Sequence, residues 1–383
     1  MFDLGSIEYH NYSSESVITG GFLKPMADVD NIEEIKTNEI IIDQASLEEA
    51  QLERLRNDID NLGETATALR AKAETSSDIP TLEAYSTMAY LTLKRIENEY
   101  QGLNKTAFTF ESLSVTDPSK QINQAIKLLN GRTNALNKTL ALAEEGFIDN
   151  IKYKIDRAFS NMEKVKVSFN KALNTFSNRG RKEGVIEHPA YAGYLGLTHN
   201  NNSASDAISA VQKHLASFNF TAAKEAFKET SSVLDKFEGF LDIGSMTWKA
   251  ENIANMKDGL RELDGIFERL NEKITKVSKV EGVTIEPIEE SDTDKIKHMF
   301  DQALDQRHMS EAMAEYRKVN SRLNALYLAG TRTKLVGVYQ SDMRKTFHAI
   351  FKGGKIDSAV SKMLTSHQNT LHALTQYVKD STR

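Results

Sequence analysis

The fold is decided by the stretch SLEEAQLERLRNDIDNLGETATALRAKA, residues 46–73. It opens with a capping-box pattern, because the side chains of Ser46 and Glu49 can each accept a hydrogen bond from the other residue's backbone N–H. Apolar residues then recur at alternating intervals of three and four, as a seam made of Leu52, Leu55, Ile59, Leu62, Ala66, Leu69 and Ala73. Such a seam predicts packing on another helix, either in an antiparallel hairpin or in a self-associating coiled coil through Leu52, Leu55, Ile59, Leu62 and Leu69.

The sequence on either side of this helix is less regular. Residues 1–42 have little helical periodicity and contain Gly20, Gly21 and Pro25, which predicts an extended or weakly ordered N-terminal arm. Pro80 interrupts the first helix, and a second helical pattern follows over residues 82–100. The segment from Gly102 to Pro118 has no helical period and is predicted to be a linker.

Residues 118–176 again have a helical pattern, predicted as two helices with a break near Glu145 and Gly146. The second of them is amphipathic and basic, and residues 148–182 carry a net charge of +6. Contact with DNA phosphates, contact with an anionic membrane surface and a solvated bundle face are all compatible with this charge. The candidate nucleic-acid contacts are Lys152, Lys154, Arg157, Lys164, Lys166, Arg179, Arg181 and Lys182.

Downstream of a polar connector at 179–203, helical patterns occupy residues 203–217, 221–240, 246–279, 292–329 and 340–380. No series of strands with turn signals interrupts them. The sequence therefore predicts an all-α protein, an elongated helical bundle or set of hairpins with coiled-coil-like segments behind the weakly ordered arm.

Charge divides the chain unevenly. The 383 residues carry a net charge of −6, but residues 1–111 sum to −12 and residues 112–383 to +6. Nucleic acid repels the first part and attracts the second, although chance variation along a long chain can produce a similar split. We predict an acidic helical segment over 1–111, a basic amphipathic region over 112–182 and a C-terminal helical domain over 183–383.

Signals for chemistry are missing from the sequence. It contains no cysteine, no phosphate-binding glycine loop, no nucleophile elbow and no HExxH zinc motif. The closest histidines, His367 and His372, are five residues apart, whereas two metal ligands on one helix face are three or four apart. We therefore predict no catalytic residue, no cofactor and no metal site. Because no secretory signal or long apolar stretch occurs, we expect the chain to be soluble where it is made.

The order of these features resembles a known family. Two acidic helices are followed by AFTFESL at 107–113, and EEGFIDNIK at 144–152 opens the basic helix. This layout, over about residues 40–180, is similar to that of the internal head, or prohead core, proteins of large tailed bacteriophages. The resemblance implies a non-enzymatic virion protein that is made in the bacterial host cytoplasm and resides inside the capsid. Its implied partners are capsid or prohead core proteins, the prohead protease and packaged DNA, which it contacts without sequence specificity.

The resemblance also implies proteolytic maturation of an N-terminal propeptide. In such families the prohead protease cuts after a glutamate that lies two residues beyond a small residue. The matching positions here are Thr109, Phe110 and Glu111, with Ser112 as the new N-terminus. Residues 143–145 (Ala-Glu-Glu), expected near a helix end, and residues 13–15 (Ser-Ser-Glu) also obey the rule. A cut after Glu111 leaves a body of charge +6, and a cut after Glu145 leaves one of +5.

Two other classes of function remain open from the sequence. The first is an unprocessed helical scaffold or coiled-coil interaction protein that works through the seam at 52–73. The second is an enzyme or effector delivered into a host, which would need a cleft of convergent polar groups within residues 200–383.

Overall fold

The structure is a computed structural model of the chain. It describes residues 2–3, 30–75, 79–101, 118–197, 201–217, 220–239, 241–242, 247–248, 253–272, 282–332 and 340–383. Most of these residues are α-helical, which confirms the predicted all-α class. The predicted cleavage residues and most of the predicted arm lie outside the described residues.

Nine α-helices are described in the structure. Their bounds are α1 Asn31–Thr75, α2 Ile79–Glu99, α3 Pro118–Arg179, α4 Ala204–Ser217, α5 Phe220–Gly239, α6 Ile253–Asn271, α7 Thr293–Ala303, α8 Gln306–Arg332 and α9 Gln340–Asp380. Single 3₁₀ turns occupy Ala192–Leu195 and Glu290–Asp292. The predicted helices at 203–217, 221–240 and 340–380 match α4, α5 and α9 closely.

Each strand among the described residues is two residues long and pairs with another strand. They are β1 Phe2–Asp3, β2 Tyr100–Gln101, β3 Ile186–Glu187, β4 Asn201–Asn202, β5 Leu241–Asp242, β6 Thr247–Trp248 and β7 Thr284–Ile285. β7 pairs antiparallel with β3 and parallel with β4, and β5 pairs antiparallel with β6. β1 and β2 pair in parallel.

Helix α1 begins earlier than the sequence predicts. Asp30 provides the N-cap, because its Oδ1 accepts the backbone N–H groups of Ile32 and Glu33 at 3.0 and 3.2 Å. The prediction of an extended arm through residue 42 is therefore wrong for residues 31–42. The capping box at Ser46 is also wrong, since Ser46 lies inside the helix. Two buried positions in residues 31–42 are the polar residues Asn31 and Asn38. The sequence of this part therefore lacks the apolar periodicity that would predict a helix.

Helix α3 is continuous, and the predicted break near Glu145 and Gly146 is wrong. A glycine inside a helix costs about 1 kcal/mol relative to alanine. Here Phe147 and Ile148 are buried directly after it, and Glu144 is buried in an ion pair with Arg56 of α1. We attribute the unbroken helix to these tertiary contacts, which outweigh the local preference.

Two of the later predictions also need correction. The pattern at 292–329 is two helices, separated at Leu304 and Asp305. Asp305 starts α8, because its Oδ1 accepts the backbone N–H groups of Arg307 and His308. The pattern at 246–279 is helical only over Ile253–Asn271 among its described residues, and Trp248 lies in β6.

The chain forms two compact units. Unit 1 comprises residues 1–19 and 46–149, and unit 2 comprises residues 20–45 and 150–383. Helices α1 and α3 therefore contribute residues to both units. The predicted boundaries at residues 111 and 182 divide the chain by charge, whereas these units divide it by contacts. The predicted boundaries therefore stay a prediction.

Unit 1 buries the seam of α1 inside the chain itself. The five residues proposed for self-association are all less than 7% exposed: Leu52, Leu55, Ile59, Leu62 and Leu69. Arg95 of α2 pairs with Asp58 of α1 at 2.5 Å, and Arg56 of α1 pairs with Glu144 of α3. The seam therefore packs within one copy of the chain, and self-association through it would require unit 1 to open.

Unit 2 has the C-terminal half of α9 in its interior. Every residue from 354 to 375 is buried, polar and apolar alike. Helix α5 packs on α6 and α8, and α9 packs on α4, α5, α6 and α8. The rings of Phe169 and Phe300 stack with centroids 3.7 Å apart, which joins α3 to α7.

Truncation of this stack should destabilise unit 2 strongly. We expect Phe300→Ala to lower the free energy of unfolding by about 3–5 kcal/mol, because it removes a fully buried ring and leaves a cavity. Urea denaturation followed by circular dichroism measures the change. Val167→Ala is the control on α3, since Val167 is 51% exposed and should change stability by less than about 0.5 kcal/mol. Equal effects of the two substitutions would contradict this packing.

Candidate nucleic-acid interface

The predicted nucleic-acid contacts lie on α3 and on the connector that follows it. The part of α3 in unit 2 has one buried apolar side, formed by Ile151, Ile155, Met162, Val165, Phe169 and Phe176. This stripe confirms the predicted amphipathic character of α3. Basic side chains on the remaining sides can contact an external partner only where they are exposed.

Two of the predicted contacts belong to the folded interior instead. Lys154 is only 8% exposed, because it lies four residues before Ala158 and on the same buried side. Lys152 is half-buried, and its Nζ donates a hydrogen bond to Asn324 Oδ1 of α8 at 2.7 Å. The prediction that these lysines lie on a solvated basic face is wrong for Lys154, and Lys152 contributes to packing between helices.

A row of cations remains on the surface of α3. Arg157 and Lys164 are seven residues apart, which places them on one side of the helix about 10.5 Å apart along its axis. Lys164 is exposed, and Arg157 and Lys166 are half-buried. Lys171 continues this row after another seven residues and is exposed. Lys171 is absent from the predicted contacts, although its seven-residue spacing from Lys164 indicates the same side of the helix.

The connector holds three further cations in different surroundings. Arg179 ends α3 and is exposed, as is Lys182. Arg181 is engaged within the fold, because its Nε donates to the carbonyl oxygen of Pro287 at 3.2 Å and its guanidinium pairs with Glu289 at 3.0 Å. The predicted contacts that lie at the surface are therefore Arg157, Lys164, Lys166, Arg179, Arg181 and Lys182. Of these, Arg181 is engaged by Pro287 and Glu289.

Acidic residues divide this surface. Asp149, Asp156 and Glu163 are also exposed on α3, so its solvent side carries both signs of charge. Partial desolvation by neighbouring atoms raises the pKa of the Asp156 carboxyl, although the residue is exposed, and the nearby charge of Arg317 opposes that change. The row of Arg157, Lys164 and Lys171 itself contains no carboxylate. Separate cations of this kind contact phosphates electrostatically and provide no pattern that reads bases.

One of the alternative cleavage sites is folded. Residues 143–145 lie in the interior of α3 rather than near a helix end, so that prediction is wrong. Glu144 is 2% exposed and paired with Arg56. A protease would have to unfold this part of α3 before binding it in extended form. Thr109, Phe110, Glu111 and Ser112 lie outside the described residues, as do residues 13–15.

The described residues offer neither a metal site nor a membrane-spanning helix. Within the described ranges, no group of three or more histidine, aspartate or glutamate side chains could hold a metal ion. None of the helices described combines the length and apolar character that a membrane crossing requires.

Comparison with known proteins adds no relative. No protein family, curated protein sequence or solved structure matches this chain.

Proposed function

We propose that this chain is a non-enzymatic internal head protein of a tailed bacteriophage. It would assemble with capsid or prohead core proteins in the host cytoplasm. The prohead protease would then cut it after Glu111, and the basic part would remain inside the capsid beside packaged DNA. The observation that carries the proposal is the change of net charge from −12 to +6 at residue 111.

This charge change gives processing a physical purpose. Before the cut, the acidic segment offsets the basic body and weakens its attraction to phosphates. After the acidic segment leaves, the body can replace counterions on DNA, with an affinity that falls as salt rises. The surface row of Arg157, Lys164 and Lys171 supports this proposal, as do the exposed Arg179 and Lys182.

The fold of α3 counts against the alternative cut after Glu145. Residues 143–145 belong to a continuous helix with a buried ion pair, whereas Glu111 lies between the end of α2 and the start of α3. A cut between two helices interrupts neither of them. We therefore keep Glu111 as the proposed site and Ser112 as the proposed new N-terminus.

A cut alone would not release the acidic segment. Residues 31–45 of α1 belong to unit 2, where Asn38 Nδ2 donates to Asn369 Oδ1 at 2.8 Å. Asn31 accepts a hydrogen bond from His372 Nδ1 at 2.9 Å and donates one to Gln376 Oε1 at 3.2 Å. These buried contacts survive cleavage between α2 and α3. The basic body therefore gains its full charge only when α1 dissociates from α9.

Co-expression with the prohead protease of the encoding phage tests the proposal. We expect a single main cut between Glu111 and Ser112, which Glu111→Gln abolishes and the matched control Glu145→Gln leaves unchanged. The two fragments should co-elute in size-exclusion chromatography and separate in concentrated urea. Retention of the cut in Glu111→Gln would overturn the proposed site. An intact wild-type chain would instead favour the unprocessed helical scaffold.

A further inference from the structure

A basic cleft of about 270 Å³ lies where the last turns of α3 meet the C-terminal end of α9. Its lining consists of Lys171, Ala172, Thr175, Arg179, Lys379, Thr382 and Arg383. Four of these described lining residues have cationic side chains, and none has an acidic side chain. Two of the four come from α3 and two from the end of the chain, so residues about 200 positions apart in sequence form one site.

Backbone hydrogen bonds fix the two sides of the cleft against each other. Gly180 adopts a left-handed conformation with φ of 78° and ends α3, as glycine commonly does. Its carbonyl oxygen accepts the N–H of Arg383 at 3.0 Å, and the N–H of Lys182 donates to the Ser381 carbonyl at 2.8 Å. The backbone positions of the four cations are therefore set by the fold of unit 2.

The hydroxyl groups of the cleft and the nearby Asp380 carboxylate are engaged in hydrogen bonds within the fold. Thr175 donates its hydroxyl proton to the Lys171 carbonyl, and Thr382 donates its own to the Val378 carbonyl. The nearby carboxylate of Asp380 accepts hydrogen bonds from Tyr191 and Gln376, both at 2.8 Å. An anion in the cleft would therefore be held by ammonium and guanidinium groups, which bind phosphate oxygens well.

We infer that this cleft binds a phosphate group, formed by Lys171 and Arg179 of α3 with Lys379 and Arg383. Its volume is below the roughly 300 Å³ at which sites for drug-sized ligands begin, so it suits one phosphate group better than a whole nucleotide. The favoured source is a nucleic-acid backbone, because the row of Arg157 and Lys164 leads along α3 to Lys171. The assignment of the phosphate to nucleic acid rests on the proposed function. The inference that the cleft binds a phosphate group does not.

Cations near helix C-termini also stabilise the helix dipole, by about 0.3–1 kcal/mol each. That effect accounts for Arg179 in the last turn of α3 and Lys379 in the last turn of α9. It does not account for Lys171, which lies two turns before the end of α3, or for Arg383, which lies beyond the end of α9. Stabilisation of the helix dipole therefore explains the positions of two of the four cations.

The test uses the full chain and the double variant Lys171→Gln/Arg179→Gln. Both side chains are exposed, so the variant should fold. Lys228→Gln/Lys318→Gln is the matched control, because it removes the same charge from two exposed positions of unit 2. The probes are inorganic tripolyphosphate, measured by calorimetry, and a labelled 20-base-pair DNA duplex of arbitrary sequence, measured by fluorescence anisotropy over a range of salt concentrations.

We expect the cleft variant to weaken tripolyphosphate binding about tenfold or more, and the control variant less than about twofold. For DNA, loss of two phosphate contacts should reduce the slope of log affinity against log salt by about two. Loss of tripolyphosphate binding with unchanged DNA binding would support a site for free phosphate and count against the DNA proposal. Loss of DNA binding alone would assign the cleft to the nucleic-acid backbone. Equal loss in the control variant, or binding of neither probe, would overturn the inference.

Discussion

Lowering the pH from about 7 to about 4 is expected to cost unit 2 about 6 kcal/mol of unfolding free energy through two histidines of α9. His367 and His372 are both buried, at 3% and 2% exposure. His367 Nε2 donates to the Ala303 carbonyl at 3.2 Å, and His372 Nδ1 donates to Asn31 Oδ1 at 2.9 Å. Each ring donates one hydrogen bond, and burial favours its neutral form.

Burial lowers the pKa of both histidines from 6.5 to about 4. The Ala303 carbonyl partly opposes this change at His367, and the charge of Lys379 adds to it at His372. The unfolded chain binds both protons near pH 6.5, whereas the folded chain resists them until about pH 4. The stabilisation is therefore complete above about pH 6.5 and is lost as the pH falls to about 4, at about 3 kcal/mol for each histidine.

Urea denaturation at a series of pH values measures this loss. The double variant His367→Gln/His372→Gln should have a flatter profile between about pH 6.5 and 4 than the wild type, whatever its stability at neutral pH. His298→Gln is the control, because His298 is exposed on α7. Identical profiles for the wild type and the double variant would contradict the burial of neutral histidines in α9.

Asp357 of α9 is expected to produce the opposite pH dependence. It is 1% exposed, and both of its carboxylate oxygens lack a hydrogen-bond partner among the described residues. Burial raises its pKa from 3.8 to about 8, although the charge of Lys152 lowers it in part. The unfolded chain ionises this group near pH 4, while the folded chain keeps its proton until about pH 8. Stability should therefore fall by about 6 kcal/mol as the pH rises through this interval.

Asp357→Asn should remove this fall while it preserves the shape of the side chain. We expect the variant to gain stability over the wild type as the pH rises from about 5 to about 8, in urea denaturation at both values. Asp294→Asn is the control, because Asp294 is exposed on α7. A variant that is less stable than the wild type at about pH 8 would contradict the account, since it would indicate an ionised carboxylate stabilised by Lys152.

Sequence periodicity predicted those parts of the fold in which apolar residues face the core. Pro118 correctly predicted the start of α3, and the seam at 52–69 correctly predicted a buried helix face. The same reasoning missed residues 31–42 of α1, where Asn31 and Asn38 occupy buried positions and bond to α9. Periodicity also did not predict that residues 354–375 are buried on all sides. Many of these residues are polar, and polar residues are usually exposed to water.

The candidate interface was predictable in composition but not in geometry. The count of cations over residues 148–182 correctly predicted a basic stretch on an amphipathic helix. Lys154 is buried, whereas Lys164 is exposed. This difference depends on packing against helices that are distant in sequence, so the count of cations could not predict it. The cleft between α3 and α9 could not be found from the sequence, because Lys171 and Arg383 are brought together only by the fold.

Peptide mapping with N-terminal assignment, performed on mature particles of the bacteriophage that we propose encodes this chain, tests the central claim most directly. The freshly expressed chain is the reference. Our account predicts peptides from residues 112–383 in the particles, a new N-terminus at Ser112 and no peptide that spans the bond between Glu111 and Ser112. Recovery of the intact chain from Met1 to Arg383, or absence of the protein from the particles, would contradict it.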